Sequence, residues 1–246
     1  MKQISRRAFV GTGAAASLAS ATGIGAMPAS LSGRSAERRS ERSQTTVMFT
    51  GDGQSLSPLE YSQVLGSIID GRGVAPDYYS RGGVVRELEE RMAAILGKER
   101  AVFLATGTLA NHLAVRIQAR GRTRVIVQED SHLYCDSGDC AEVLSNLNLV
   151  TLARGAGSFT LEDVQDVIAR AAGGRVRTGV GVISIESPIR RRYGELFDHD
   201  EMRRICDFAR ERDIATHIDG ARLFMASAYT GIAPAEFAAL FDTVYV

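Results

Sequence analysis

The 246-residue sequence contains no tryptophan, only two lysines and only three cysteines. Its 29 basic and 29 acidic residues cancel, so no excess positive charge favours binding to nucleic acid or to an anionic membrane surface. The odd number of cysteines disfavours a disulfide framework, even in an oxidising compartment. The absence of a Gly-x-Gly-x-x-Gly pattern and of a phosphate-loop lysine motif disfavours a nucleotide-binding doubly wound domain. Small metabolites are therefore the expected partners.

The N-terminus is typical of an export signal. Residues 5–10 are Ser-Arg-Arg-Ala-Phe-Val, and a weakly apolar run rich in Ala, Gly and Ser follows them. A membrane-spanning helix needs about 20 strongly apolar residues, which this run does not supply. We predict a twin-arginine signal over residues 1–29, a solvated linker over 30–46 and a folded domain over 47–246, with export to the periplasm or the extracellular space. The alternative is a disordered tail with a chance pair of arginines.

Helical and strand-like patterns alternate through the predicted domain. Apolar residues at helical spacing predict helices over residues 82–97, 109–119, 198–212 and 234–241, and another that begins at Thr160. Short apolar runs predict strands over residues 101–104, 124–128, 149–152, 180–185, 214–219 and 243–246. This alternation predicts a three-layer α/β fold with a mostly parallel sheet, in which ligands bind at the carboxyl ends of the strands.

A turn rich in hydroxyl groups follows the first predicted strand. Thr106, Gly107 and Thr108 lie between that strand and the next predicted helix. Backbone N–H groups and the positive end of the helix dipole at such a position favour a bound phosphate. The same residues also suit an ordinary helix cap, so the turn by itself leaves both interpretations open.

Two further strand ends carry titratable side chains. His132 follows the strand over residues 124–128, and Asp219 ends a strand three residues before Arg222. A carboxylate at the end of a buried strand costs free energy unless a cation or a hydrogen-bond donor meets it. An internal Asp219 to Arg222 ion pair and a purely structural histidine are the alternative interpretations.

A cysteine cluster lies beside His132. Cys135 and Cys140 could form a disulfide bond or, with His132, Asp136 and Asp139, supply donor atoms for a metal ion. The spacing matches no familiar zinc pattern. We therefore favour loop packing and assign no metal site.

Together, in this order and at these strand ends, the three motifs resemble those of the threonine aldolase and beta-eliminating lyase family of fold-type-I pyridoxal phosphate enzymes. The resemblance implies that Thr106, Gly107 and Thr108 hold the phosphate of pyridoxal 5′-phosphate. It implies that His132 stacks on the pyridine ring and that Asp219 pairs with the ring nitrogen, both as catalytic residues. Arg222 would contact the substrate carboxylate or the ring hydroxyl. The implied substrate is a small amino acid, cleaved by a retro-aldol step or by beta-elimination, and the implied assembly is a dimer or tetramer.

The resemblance also implies a lysine that forms a Schiff base with the cofactor, one strand after the Asp219 turn. Lys2 and Lys98 lie elsewhere, and the sequence ends at Val246. We therefore expect an N-terminal fragment of an exported enzyme, without that lysine and without the C-terminal small domain. The alternative is a non-catalytic remnant or binding module. Where the family has an Asn-Thr-His sequence, this chain has an arginine-rich loop over residues 190–192, which either contacts an acidic substrate or is simply solvated.

Overall fold

The computed structural model describes residues 56–79 and 81–246. The predicted export signal, the predicted linker and the first residues of the predicted domain lie outside the described residues. The described part is an α/β fold built around one parallel sheet.

The sheet has five strands, all parallel. They are β1 (Arg124–Gln128), β2 (Asn148–Leu152), β3 (Val180–Glu186), β4 (Ala215–Asp219) and β5 (Thr243–Tyr245). Their order across the sheet is β2-β1-β3-β4-β5. Glu186 is in register with Asp219, and Asp219 is in register with Tyr245. Three polar side chains therefore lie side by side at the carboxyl ends of β3, β4 and β5. The predicted mostly parallel α/β fold is confirmed.

Within the described residues, three helices precede the first strand and the others lie between the strands. In chain order they are α1 (Pro58–Arg72), α2 (Gly83–Leu96), α3 (Gly107–Gln118), α4 (His132–Cys135), α5 (Cys140–Ser145), α6 (Leu161–Ala172), α7 (His199–Glu211), α8 (Leu223–Thr230) and α9 (Pro234–Leu240). α6 begins as the sequence predicts, with Thr160 and Asp163 forming a reciprocal capping box. Within the described residues no single helix is long and apolar enough to span a membrane, and α8 and α9 reach that length and composition only as a pair bent by 115°.

Both faces of the sheet are buried. All seven residues of β3 are buried, as expected for the central strand of a sheet covered on two sides. Ile183 and Ile185 join a core with α6, α7, α8 and α9, whereas Val182 packs into a second core with Val115 of α3. Alternation of side chains along the strand produces the two cores. The three-layer arrangement follows from this packing.

The predicted strand over residues 101–104 is wrong. The segment forms no strand, Val102 is 73% exposed and Phe103 is 50% exposed. Phe103 instead donates its backbone N–H to Glu89 of α2. A short apolar run becomes a strand only where another strand pairs with it, and the sheet ends at β5 on one side and β2 on the other.

Candidate functional site

The first turn of α3 is an open helix N-terminus. Thr106 caps it: its Oγ1 accepts a hydrogen bond from the Leu109 N–H at 3.2 Å, and its carbonyl accepts one from the Ala110 N–H. The N–H groups of Gly107 and Thr108 therefore have no acceptor within the helix. The structure thus contains the helix cap of the alternative interpretation and, at the same turn, two backbone donors that the helix itself leaves without an acceptor.

Tyr245 of β5 packs closely against Gly107 in this turn. A Cβ atom built on Gly107 would lie 2.2 Å from the Tyr245 hydroxyl oxygen, so no larger residue fits here without displacing the tyrosine. Tyr245 ends β5 and brings its phenol to the start of α3. The sequence contained one signal for this residue: an aromatic side chain with a polar end at the end of a short β-branched strand.

His132 is fixed through its backbone and its ring. Its N–H donates to the Glu186 carboxylate at the end of β3. Its Nε2 lies 3.0 Å from the Thr108 hydroxyl, and its Nδ1 lies 4.0 Å from an Asp136 oxygen. The histidine is half-buried beside the α3 turn, as its predicted position at a strand end requires.

Asp219 is a buried carboxylate that is held by neutral donors. It is 5% exposed and accepts hydrogen bonds from Asn111 Nδ2 at 2.6 Å and from the Ala221 N–H at 3.2 Å. Burial first, and then the nearby Glu186 charge, raise its pKa from 3.8 to about 7. The Ala221 N–H, Asn111 and finally Arg222 act in the opposite direction. The charge of Arg222 therefore acts on Asp219 in addition to these two neutral donors.

A chain of side chains extends from Asp219 into the core. Asn111 Oδ1 lies 2.9 Å from His217 Nε2, and His217 Nδ1 lies 2.8 Å from the Thr243 hydroxyl. Gln118 Nε2 donates to that hydroxyl at 2.9 Å. Sequence reasoning missed Asn111 and His217, although His217 stands two residues before Asp219 in a fully buried strand, which is a signal for a satisfied polar contact.

α3 joins the three predicted motifs. Thr108 and Asn111 are three residues apart, so they lie on one face of the helix. Thr108 contacts His132 and Asn111 contacts Asp219. Arg222, three residues beyond Asp219, is half-buried at the start of α8, and its charge acts on the Asp219 carboxylate. α3 therefore links three of the predicted site residues, Thr108, His132 and Asp219.

The arginine-rich loop is tied to carboxylates at the rim of this site. Arg190 and Arg191 both bind Asp136, the latter through two nitrogens, and Arg192 binds Glu195 and Asp130. Hydrogen bonds from Arg191 first, and also from Arg190, lower the pKa of Asp136 to about 2. These pairs favour the interpretation of a solvated, internally neutralised loop.

The described residues also include three cysteines and one lysine. Cys135, Cys140 and Cys206 are unbridged thiols, and no group of three or more metal-binding side chains is found among residues 56–79 and 81–246. Lys98 donates to the Phe241 carbonyl, and burial lowers its pKa. It is part of the contact between α2 and the segment before β5.

Comparison with known proteins identifies the family of this chain. The family model for beta-eliminating lyases matches residues 74–246. A low-specificity L-threonine aldolase from Candida albicans is 30% identical over 169 residues, which are 68% of this chain and 44% of that protein. One from Escherichia coli K12 is 30% identical over 154 residues, 62% of this chain and 45% of that protein. The chain spans about half the length of the curated relatives that it matches.

Solved structures give the same result. A putative L-allo-threonine aldolase from Listeria monocytogenes superimposes with a TM-score of 0.67 at 30% identity, over 80% of this chain and 52% of that one. A putative aromatic amino acid beta-eliminating lyase/threonine aldolase from Exiguobacterium superimposes with a TM-score of 0.66 at 27% identity. The chain therefore belongs to the threonine aldolase and beta-eliminating lyase family of fold-type-I pyridoxal phosphate enzymes.

Proposed function

We propose that this chain binds pyridoxal 5′-phosphate at the α3 turn and that the whole protein is a lyase acting on a small amino acid. The observation that carries the proposal is Asp219: a buried carboxylate with a pKa of about 7, at a strand end, in contact with the helix whose first turn reaches His132. Such a carboxyl group is a poor structural element by itself, since burial disfavours its charge. It is well suited to a cationic ring nitrogen.

The residues at the α3 turn fit the cofactor. The Gly107 and Thr108 N–H groups and the helix dipole suit its phosphate. The half-buried imidazole of His132, held by Glu186 and Thr108, offers a flat surface to its ring. When bound, the cofactor supplies a protonated ring that accepts the electron pair released as a bond to the α-carbon of the amino acid breaks.

The protein residues would then position and polarise the reactants. Asp219 would keep a proton on the ring nitrogen, because an ionised carboxylate stabilises an adjacent positive charge. Arg222 would orient the substrate through its planar guanidinium group, which matches a carboxylate in two hydrogen bonds. Tyr245 and Thr108 would border the phosphate side of the site. Each role concerns binding, orientation or the location of one proton.

The lyase activity that we propose is that of the whole protein. A lysine beyond Val246 would complete the site, and the reading of the coding sequence past this codon tests that expectation. The whole protein incubated with L-threonine should release glycine and an aldehyde if it is an aldolase, or ammonia and a 2-oxo acid if it catalyses beta-elimination. Release of neither product from threonine or other small amino acids would favour the alternative, a non-catalytic remnant or binding module.

Cofactor binding is tested on the 246-residue chain by equilibrium dialysis against pyridoxal 5′-phosphate near pH 8. Asp219→Ala should weaken binding by roughly 10- to 100-fold, the loss of one charge-assisted contact. Asp207→Ala is the matched control, because Asp207 is an exposed aspartate on α7 that pairs with Arg210. Binding that is equal in both variants and in the wild type would overturn the proposed site.

Two further proposals concern export and assembly. The twin-arginine motif at residues 6–7 supports export, and a reporter fused to residues 1–46 tests it by appearing outside the cytoplasm only when the arginine pair is intact. Family membership supports a dimer or tetramer, and sedimentation of the whole protein tests that assembly.

A further inference from the structure

Four hydrogen bonds behind Asp219 run in one direction. The Asn111 amide can donate only through Nδ2, which faces the carboxylate, so its Oδ1 must accept from His217. His217 is buried, and burial lowers its pKa to about 4, so it is neutral and carries a single ring proton. That proton must lie on Nε2, because Nε2 faces the Asn111 oxygen.

The rest of the chain follows from this tautomer. His217 Nδ1 is then an acceptor. It accepts a hydrogen bond from the Thr243 hydroxyl, whose oxygen lies 2.8 Å away. The Thr243 oxygen in turn accepts from Gln118 Nε2. Each donor therefore points toward Asp219. We call Gln118, Thr243, His217 and Asn111 the relay, and it draws one residue from β5, one from β4 and two from α3.

Hydrogen bonds aligned in this way polarise one another and stabilise negative charge at their end. The charged groups that face Asp219 from neighbouring elements are Glu186 of β3, which opposes its ionisation, and Arg222 after β4, which favours it. α3 contributes the uncharged Asn111. The relay is thus the neutral support of the carboxylate, buried at Asn111 and His217 and part-buried at Thr243 and Gln118. It also fixes which carboxylate oxygen accepts which bond: Oδ2 accepts from Asn111, and Oδ1 accepts from the Ala221 N–H.

We propose that Asn111, His217 and Thr243 are positioning residues that hold Asp219 as an oriented carboxylate for the ring nitrogen of the cofactor. The inference rests on the proposed function. It adds that α3, whose first turn would hold the phosphate, also favours the ionised form of Asp219 through Asn111. Without the relay, Asp219 would take up a proton at higher pH and would present an uncharged carboxylic acid to the ring.

The test measures how the affinity for pyridoxal 5′-phosphate changes with pH, from about pH 6 to about pH 9, on the full chain. Asn111→Leu removes the donor to Asp219 at similar size, and Thr243→Val removes the donor to His217. The matched control is Thr216→Val, the same change on the neighbouring strand, where the hydroxyl contacts Asp242 and not the relay. Thr243→Ser keeps a hydroxyl group at this position. The ratio of each variant to the wild type cancels the ionisations of the cofactor itself.

Asn111→Leu should bind roughly tenfold more weakly than the wild type near pH 6.5, a shift of about one pKa unit, and the difference should shrink toward pH 9. For Thr243→Val, the ratio of its affinity to that of the wild type should change with pH in the same direction and by less. The affinities of Thr243→Ser and Thr216→Val should follow that of the wild type at every pH. A loss of affinity that is equal at every pH would show a merely structural contact and overturn the relay. Failure of the wild type to bind would instead overturn the proposed function together with the inference.

A second readout needs no cofactor. The chain has four histidines, so nitrogen NMR of histidine-labelled protein gives a small set of ring signals. His217 should show a neutral Nε2–H ring that does not titrate above about pH 5, and this ring signal should change in Thr243→Val but not in Thr216→Val. A proton on Nδ1 instead would reverse the hydrogen bonds and contradict the relay.

Discussion

Replacing Asp219 with asparagine should stabilise the fold while it weakens cofactor binding. Burial raises the pKa of Asp219 from 3.8 to about 7, so the folded chain retains a proton that the unfolded chain has already released. Below about pH 4 both states are protonated and the carboxyl group costs nothing. As the pH rises to about 7 the stability falls, and above that it stays at its lower value.

The magnitude follows from the size of the shift. About three pKa units at ~1.4 kcal/mol each correspond to about 4 kcal/mol of destabilisation above pH 7. Asp219→Asn removes the charge, but a carboxamide has one acceptor oxygen where Asp219 accepts from both Asn111 and Ala221, and a lost hydrogen bond costs ~1 kcal/mol. The net gain should be about 2–3 kcal/mol near pH 8, with a small loss near pH 4.

Urea unfolding of the cofactor-free chain, followed by circular dichroism, measures this difference at the two pH values. The same preparations used for dialysis against pyridoxal 5′-phosphate should show the opposite order of affinity. Equal stability of variant and wild type near pH 8 would refute the argument that burial destabilises the carboxylate. A gain of the same size at both pH values would attribute the effect to packing and not to charge.

Three further predictions follow from the surroundings of single residues. Gly107→Ala places a methyl group 2.2 Å from the Tyr245 hydroxyl, so we expect ~1–3 kcal/mol of destabilisation and at least tenfold weaker phosphate binding, measured by urea unfolding and by competition with inorganic phosphate. Asp136→Asn should lower stability near pH 7 by about 1 kcal/mol, and the difference should vanish as the pH falls through about 2, where the wild-type carboxylate is lost; acid unfolding curves test this. Cys206 should resist a thiol reagent at pH 8 because burial raises its pKa to about 12, while the exposed Cys135 should react first, as mass spectrometry of the labelled peptides will show.

The regular elements that the sequence predicts well are those with a self-contained pattern. The predicted bounds of β1, β3 and β4 lie within one residue of the observed ones, because each is a short run rich in β-branched residues between turns. α2 and α7 are equally well predicted from their apolar stripes. α1 is missed because its apolar residues do not form one clear stripe, and none of its residues is buried in the structure.

The candidate site divides in the same way. His132 and Asp219 are visible in the sequence because a titratable residue at the end of an apolar strand is unusual. Asn111 lies 108 residues from Asp219 in the chain, and no local pattern indicates their contact. Tyr245 and Gly107 meet only because β5 lies at the edge of the sheet nearest the α3 turn. The residues that support the site are therefore decided by the topology, which short motifs do not encode.

The electrostatics of Asp219 explain why its surroundings point to a ligand and not to a structural role. Neutral donors such as Asn111 and the Ala221 N–H orient a carboxylate, but they do not supply the opposite charge that a buried anion needs. Arg222, three residues away, carries a positive charge that lowers the Asp219 pKa, but its effect is the last of the named causes. Natural folds retain a cost of this size mainly at functional sites. A protonated ring nitrogen would supply the compensating charge, because it brings a cation to the one carboxylate that the relay has already oriented.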